Sequence, residues 1–160
     1  MPTIGITGHM DITSETARLV EGELRARLAS IPPAELVGVS CIAKGADALF
    51  ANVVVSIGGR LVVVLPSRDY REAKVKPDHR GEFDALVARA EEVRTMPYET
   101  ADRDAYTAAN EHLVSECEAL FAVWDGQPPS GKGGTGDVVA YARRVGVPVT
   151  IVWPEGAVRG

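Results

Sequence analysis

The chain has 160 residues, of which 46% are apolar and 24% charged, and its net charge is −5. This length suits one folded domain that buries about 70% of the surface its unfolded chain would expose, and we expect residues 1–160 to form that domain. No apolar run approaches the roughly 20 residues of a membrane-spanning helix, and no basic segment precedes an apolar one near residue 1, as in a signal peptide. We therefore expect a cytoplasmic protein without a membrane partner.

The distribution of basic, cysteine and histidine residues argues against several kinds of site. The 17 basic residues are scattered, so we predict no nucleic acid partner. Cys41 and Cys117 lack C-x-x-C spacing, and we expect both to be buried, reduced thiols. His9, His79 and His112 lack H-E-x-x-H spacing. The sequence therefore predicts no metal site, and we expect no cofactor.

The first half of the chain alternates apolar runs with amphipathic stretches. TIGITG ends at Gly8 and precedes a predicted helix from Ser14 to about Ala29, which has a Thr/Ser start signal. LVGVSCIA leads into the helical stretch KGADALFANVVVSIGG. RLVVVLP precedes an irregular polar segment, Ser67–Asp78, and a helix from about Arg80 to Glu92. Each unit predicts a strand, a turn and a helix.

The last third continues the alternation. YTAANEHLVSECE is a predicted helix, ALFAVW a buried strand, GTGDVVAYARRVG a helix that ends near Gly146, and PVTIVW a final strand. Apolar strands without strict alternation, separated by helices, are typical of a parallel sheet covered on both faces. We predict an α/β fold: a three-layer, doubly wound, Rossmann-like and mainly parallel sheet in a single domain.

Three glycine-containing turns follow predicted strands: TGHMD, AKGAD and GKGGTGD. In open parallel sheets, ligands bind beyond the carboxyl ends of the strands, where the strand order reverses. Each turn leads toward a helix N-terminus, whose unpaired N–H groups attract phosphate. A single glycine turn is often only a conformational requirement, but three at one sheet edge favour a ligand site.

The loop WDGQPPSGKGGTGD matches part of the phosphate loop G-x-x-x-x-G-K-[ST]. Gly133, however, stands where that loop needs a magnesium-binding hydroxyl, and two prolines remove N–H donors from its middle. The segment still offers a cation, a hydroxyl and backbone donors to an anion, from Lys132, Thr135, Gly133 and Gly134. We predict an anion-binding loop that is not a triphosphate loop.

The ordered segments GITGHMD, AKGADALFA, VVLP, YTAANEHLVSECEALFAVWDG and GKGGTGDVVAYARRVGVPVTIVWP resemble the SLOG superfamily. This Rossmann-like group includes the LOG-type cytokinin-activating phosphoribohydrolases and the DprA proteins. The resemblance covers nearly the whole chain and is greatest to small stand-alone members of the YspA and YpsA kind. It implies a nucleotide or nucleotide-derived ligand at the sheet edge and a homo-oligomer.

The chain departs from the LOG-type motif P-G-G-x-G-T-x-x-E at the residue that matters for catalysis. Aligning the threonine of the motif with Thr135 places Val138 at the position of the catalytic glutamate. A valine side chain can neither stabilise an oxocarbenium ion nor activate water. The remaining candidate carboxylates are Glu111 and Asp137.

Two functions remain open. In the first, the protein binds a nucleotide-like ligand, as a sensor would. In the second, it is a LOG-type nucleoside 5′-monophosphate phosphoribohydrolase or N-glycosidase, with Glu111 or Asp137 as the working carboxylate. A third reading, that the fold only supports self-assembly, explains the glycine loops poorly.

The candidate ligand-binding residues are Gly8, His9, Lys44, Gly45, Asp47, Asn110, Asp125, Lys132, Gly133, Gly134 and Thr135. Asp47 also suits a helix cap.

Overall fold

Strands and helices alternate along the chain in a computed structural model that describes residues 2–128 and 134–160. The first elements are β1 (Thr3–Gly8), α1 (Ser14–Leu28), β2 (Val37–Ser40), α2 (Ala46–Ser56), β3 (Arg60–Leu65), α3 (Tyr70–Lys74), α4 (Pro77–Arg89) and β4 (Glu92–Thr95). They are followed by α5 (Arg103–Glu116), β5 (Ala119–Val123), α6 (Thr135–Arg144) and β6 (Val149–Ile151). No helix in the described ranges is long and apolar enough to cross a membrane.

The described strands form one parallel sheet in the order β4-β3-β2-β1-β5-β6. From β1 the chain adds strands on one side as far as β4, and then returns to place β5 on the other side of β1. The direction of winding therefore reverses between β1 and β5, whose last residues, Gly8 and Val123, are paired. This topology confirms the predicted doubly wound, Rossmann-like fold.

Apolar side chains cover both faces of the sheet, which explains why the strand sequences lack strict alternation. On β3, Leu61 and Val63 pack with residues of α2 and α4. Their neighbours Val62 and Val64 pack on the opposite face, with residues of α5 and α6. Since successive side chains of a strand point to opposite faces, a strand between two helical layers is apolar at every position.

Two regions differ from the prediction. The helix expected from about Arg80 to Glu92 is α4, Pro77–Arg89, and Glu92 instead begins the edge strand β4. The segment expected to be irregular, Ser67–Asp78, contains the short helix α3. Strand β4 reads EVRT and is mostly exposed, so only its pairing with β3 defines it as a strand.

Candidate functional site

A cavity of about 550 Å³ opens at the carboxyl edge of the sheet. It spans the crevice between β1 and β5, where the winding reverses, and continues over the ends of β2 and β3. This is where ligands bind in open α/β sheets. Its lining residues are Thr7, Gly8, His9, Met10, Asp11, Cys41, Ala43, Asp47, Pro66, Tyr70, Tyr106, Ala109, Asn110, Trp124, Gln127, Gly134, Thr135, Val138 and Arg159.

His9 and Asp125 join the two loops that flank the reversal point. The His9 Nε2 atom lies 3.2 Å from both the backbone N and the Oδ1 atom of Asp125. The His9 ring also contacts Trp153 edge-on, with centroids 5.6 Å apart. Burial alone would raise the pKa of Asp125, but the Gln127 N–H, His9 and Arg159 together hold that pKa below its usual value. The pair therefore fixes the β1 and β5 loops relative to each other.

Arg159 lies at the same end of the cavity and was not identified from the sequence. Its Nε atom lies 3.0 and 3.1 Å from the two carboxylate oxygens of Asp11, and its Nη1 atom lies 3.9 Å from Asp125 Oδ2. The buried Thr16 hydroxyl accepts from the Val158 N–H and donates to the Val158 carbonyl, which anchors this segment on α1. No local sequence signal joins residues 11 and 159, because only the fold brings them together.

The glycines of the first two turns have packing roles. A Cβ atom on Gly8 would lie 2.6 Å from Ala46 Cβ and 2.8 Å from Val123 Cβ. Gly45 has a φ angle of +90°, and a Cβ atom there would lie 2.7 Å from the carbonyl oxygens of His9 and Met10. Both glycines let α2 start against the end of β1. Gly8 also lines the cavity, whereas Gly45 lies outside its lining.

The cavity end over β2 and β3 combines polar and aromatic groups. Cys41, Asp47, Tyr70, Tyr106 and Asn110 line it, and the two tyrosine rings meet edge to face at 6.2 Å between centroids. Burial raises the pKa of Asp47 to about 7, although the Ala43 N–H lowers it in part. Burial and the nearby Asp47 also raise the pKa of Cys41, so this thiol stays protonated. Cys41 is only half-buried, unlike Cys117, because it faces the cavity.

The other candidate ligand-binding residues fall into three groups. Gly134 is the N-cap residue of α6, Thr135 begins that helix, and both line the cavity. Lys44 lies outside the lining, where its exposed side chain is 3.4 Å from Asp78. Lys132 and Gly133 fall outside the described residues.

The candidate catalytic carboxylates lie in a second, smaller cavity. Glu111 and Asp137 line a space of about 370 Å³ between α5 and α6, together with Arg103, Thr107, Tyr141 and Arg144. Asn110 and Val138 border both cavities. The side chain at the LOG-type glutamate position is thus an apolar wall of the first cavity. The described part of the chain contains no cluster of three or more His, Cys, Asp or Glu residues that could hold a metal ion.

Comparison with solved structures identifies the fold. The chain superposes on DNA processing protein A (DprA) from Helicobacter pylori with a TM-score of 0.65 and 15% sequence identity, over 94% of this chain and 64% of that one. DprA from Streptococcus pneumoniae gives 0.58 and 17%, over 94% and 58%. The molybdenum cofactor carrier protein from Chlamydomonas reinhardtii gives 0.59 and 18%, over 94% and 75%. The chain therefore has the same Rossmann-like fold as these proteins, which supports the SLOG resemblance of the sequence at the level of the fold.

The chain spans less than two thirds of the length of each DprA chain. The sequence matches no protein-family model and no curated protein. At these identities, the structural similarity establishes the fold and nothing about activity.

The exclusion of nucleic acid, drawn from the scattered basic residues, is wrong. The Helicobacter pylori protein, which has the same fold, is described by its single-stranded DNA binding mode. Net charge and scattered basic residues reflect the whole surface, whereas a strand of DNA can be held by a few local groups and backbone donors. The expected homo-oligomer finds no support among these structures either.

Proposed function

We propose that the protein binds a nucleotide or nucleotide-derived ligand in the cavity at the β1/β5 reversal point. The proposal depends mainly on one observation, a cavity of about 550 Å³ at the carboxyl edge of the sheet. Ligands bind at this edge in open α/β sheets. This volume lies within the range of about 300–1,000 Å³ that small-molecule sites occupy. The two ends of the cavity differ in chemistry, as the two ends of a nucleotide do.

The end at β1 and β5 suits the phosphate. Helix α6 is ten residues long and begins there, with Gly134 as an N-cap residue that has no side chain to cap it. First-turn N–H groups and the partial positive charge of the helix favour an anion at this place. The Thr135 hydroxyl and the Arg159 guanidinium line the same end. Asp137, in the same first turn, lines the second cavity instead.

The end over β2 and β3 suits the base and sugar. Tyr70 and Tyr106 present aromatic surface, while Asn110 and Asp47 present polar groups. A flat heteroaromatic ring gains from contact with aromatic side chains and from a few well-placed hydrogen bonds. The SLOG-fold proteins named for carrying molybdenum cofactor and for binding single-stranded DNA support a ligand-binding role. A protein that binds its ligand without cleaving it would act as a sensor or carrier.

Isothermal titration calorimetry with adenosine, guanosine, cytidine and uridine monophosphate tests the proposal. We expect at least one to bind. Gly134→Val should abolish binding, since its side chain would occupy the phosphate position, and Thr135→Val should weaken binding by about 1.5–3 kcal/mol, the range for a hydrogen bond to a charged group. The matched controls are Gly81→Val on an exposed face of α4 and Thr95→Val on the edge strand.

Two results would contradict the proposal. Equal affinities in the wild type and both cavity variants, with the fold intact, would remove the α6 N-terminus from the site. Binding of a short single-stranded DNA oligonucleotide, without binding of any monophosphate, would replace the small ligand with nucleic acid.

A further inference from the structure

The Asp47 carboxyl group is an acid placed inside the cavity without a cationic partner. It lies at the second position of α2 and lines the cavity. In the part of the chain that the structure describes, no lysine, arginine or histidine forms an ion pair with it. The adjacent cation, Lys44, is directed to Asp78 at the surface.

The groups around Asp47 are neutral. The Asp47 carboxyl group accepts from the Ala43 N–H and interacts electrostatically with the Cys41 thiol after β2 and the Tyr70 hydroxyl of α3. Burial raises the pKa values of Cys41 and Tyr70, so neither is ionised near neutral pH. Tyr106 of α5 lines the same cavity, and burial raises the pKa of its hydroxyl as well.

The residue of α4 that packs against the loop after β2 is His79. His79 is buried there, with its Nε2 atom 3.1 Å from the Ile42 carbonyl oxygen and its Nδ1 atom 3.3 Å from Glu82. Since burial places the pKa of Asp47 at about 7, its protonated form is well populated at neutral pH.

We propose that Asp47, in its protonated form, recognises a heteroaromatic ring through an edge that carries a ring-nitrogen acceptor beside an exocyclic amino group. This inference rests on the proposed nucleotide site and names the class of base it selects. A protonated carboxyl offers one donor and one acceptor, whereas a carboxylate offers only acceptors. The acid form therefore pairs with adenine- and cytosine-type edges, and the carboxylate would pair with the two adjacent donors of a guanine-type edge.

Calorimetric titrations with adenosine, cytidine and guanosine monophosphate between pH 6 and 8.5 test this inference. If only the protonated protein binds, the apparent Kd grows as the protonated fraction falls. With a pKa of about 7, the Kd for the adenosine or cytidine nucleotide should rise about 30-fold over this range. The ligand phosphate titrates near pH 6, but its effect is shared by the wild type and every variant.

Two variants isolate the role of Asp47. Asp47→Asn keeps one donor and one acceptor at every pH, so it should retain binding and lose the pH dependence that the phosphate does not explain. Asp78→Asn, which changes an exposed carboxylate outside the cavity, should keep the full pH dependence. Should Asp47→Asn fail to fold, carbon-13 NMR of the wild-type Asp47 carboxyl gives a second measurement, and we expect adenosine monophosphate to raise its pKa.

The outcomes separate this inference from the proposed function. Failure of all the monophosphates to bind would overturn both. Binding of the adenosine and cytidine nucleotides with a pH dependence equal in the wild type and Asp47→Asn, or an Asp47 pKa that falls or stays constant when adenosine monophosphate binds, would overturn only the inference about Asp47.

Discussion

At the scale of single residues, a glycine in a turn can be required either by a ligand or by the packing of the fold. Gly8 and Gly45 were selected as candidate ligand contacts, but the contacts a Cβ atom would make are with neighbouring strands, helix and loop. The sequence could show that glycine was required at these turns. It could not show whether a ligand or the packing of α2 required it, because that depends on which atoms the fold brings within 3 Å.

Gly45→Ala should lower the free energy of unfolding by at least about 2 kcal/mol. A φ angle of +90° is strained for a residue with a Cβ atom, at a cost of about 1–3 kcal/mol, and the close backbone oxygens of His9 and Met10 add to it. Gly22→Ala is the matched control, because Gly22 lies in the middle of α1 with open space around it. It should stabilise the protein by about 0.5–1 kcal/mol.

Equilibrium unfolding in urea measures both glycine variants. A Gly45→Ala protein within about 0.5 kcal/mol of the wild type, the usual range for a neutral surface substitution, would show that the turn after β2 can relax to accept a side chain.

The cavity residues that the sequence did not reveal share one physical reason. Arg159 comes from the last segment of the chain, Cys41 directly follows β2, and Tyr70 begins the short helix α3. None of the three belongs to a local motif. By contrast, Gly134 and Thr135 were predicted because a glycine-rich turn before a helix is itself a local signal. Local chemistry could be predicted from the sequence, whereas long-range neighbours depend on the strand order.

At the scale of elements, a capping signal in the sequence predicts the bounds of a helix accurately. The helix predicted from Ser14 to about Ala29 is Ser14–Leu28, and its N-cap residue Thr13 accepts a hydrogen bond from the Thr16 N–H at 3.1 Å. Elements defined by tertiary contacts were missed. Strand β4 has a charged sequence that only backbone pairing with β3 makes a strand, since strand formation depends strongly on neighbours.

Thr13→Ala should lower the free energy of unfolding by about 1 kcal/mol, because the Thr16 N–H at the start of α1 loses its partner. The Thr13 hydroxyl also donates to the Thr16 hydroxyl, which holds the Val158 backbone, so hydrogen exchange of the Val158 amide should accelerate in the same variant. Ser14→Ala, one residue further along and exposed, is the control and should stay within about 0.5 kcal/mol of the wild type. Equal losses in the two variants would mean that the Thr13 cap adds no stability.

At the scale of the whole molecule, strand order explains why the fold was predictable and the ligand was not. Alternating apolar strands and helices predict a doubly wound parallel sheet, and that topology places a cavity where the winding reverses between β1 and β5. Solved structures with this fold are named for different ligands, including single-stranded DNA and molybdenum cofactor. The fold therefore determines where a ligand binds, while the side chains around the cavity determine which one.

The side chains around the cavity, rather than the fold, also decide whether the protein can cleave a glycosidic bond. Glycosidic cleavage of a nucleoside monophosphate needs a carboxylate near the anomeric carbon, and the LOG-type position is occupied by Val138, a buried wall of the cavity. Glu111 and Asp137 line the adjoining cavity between α5 and α6.

We therefore expect little or no free base from adenosine, guanosine, cytidine or uridine monophosphate when each is incubated with the protein and the products are separated by chromatography. Glu111→Gln and Asp137→Asn should behave as the wild type does, and base added to parallel samples should be recovered in full. Sustained release of base that either substitution abolishes would show instead that a carboxylate of the second cavity reaches the sugar, and it would make the protein a phosphoribohydrolase.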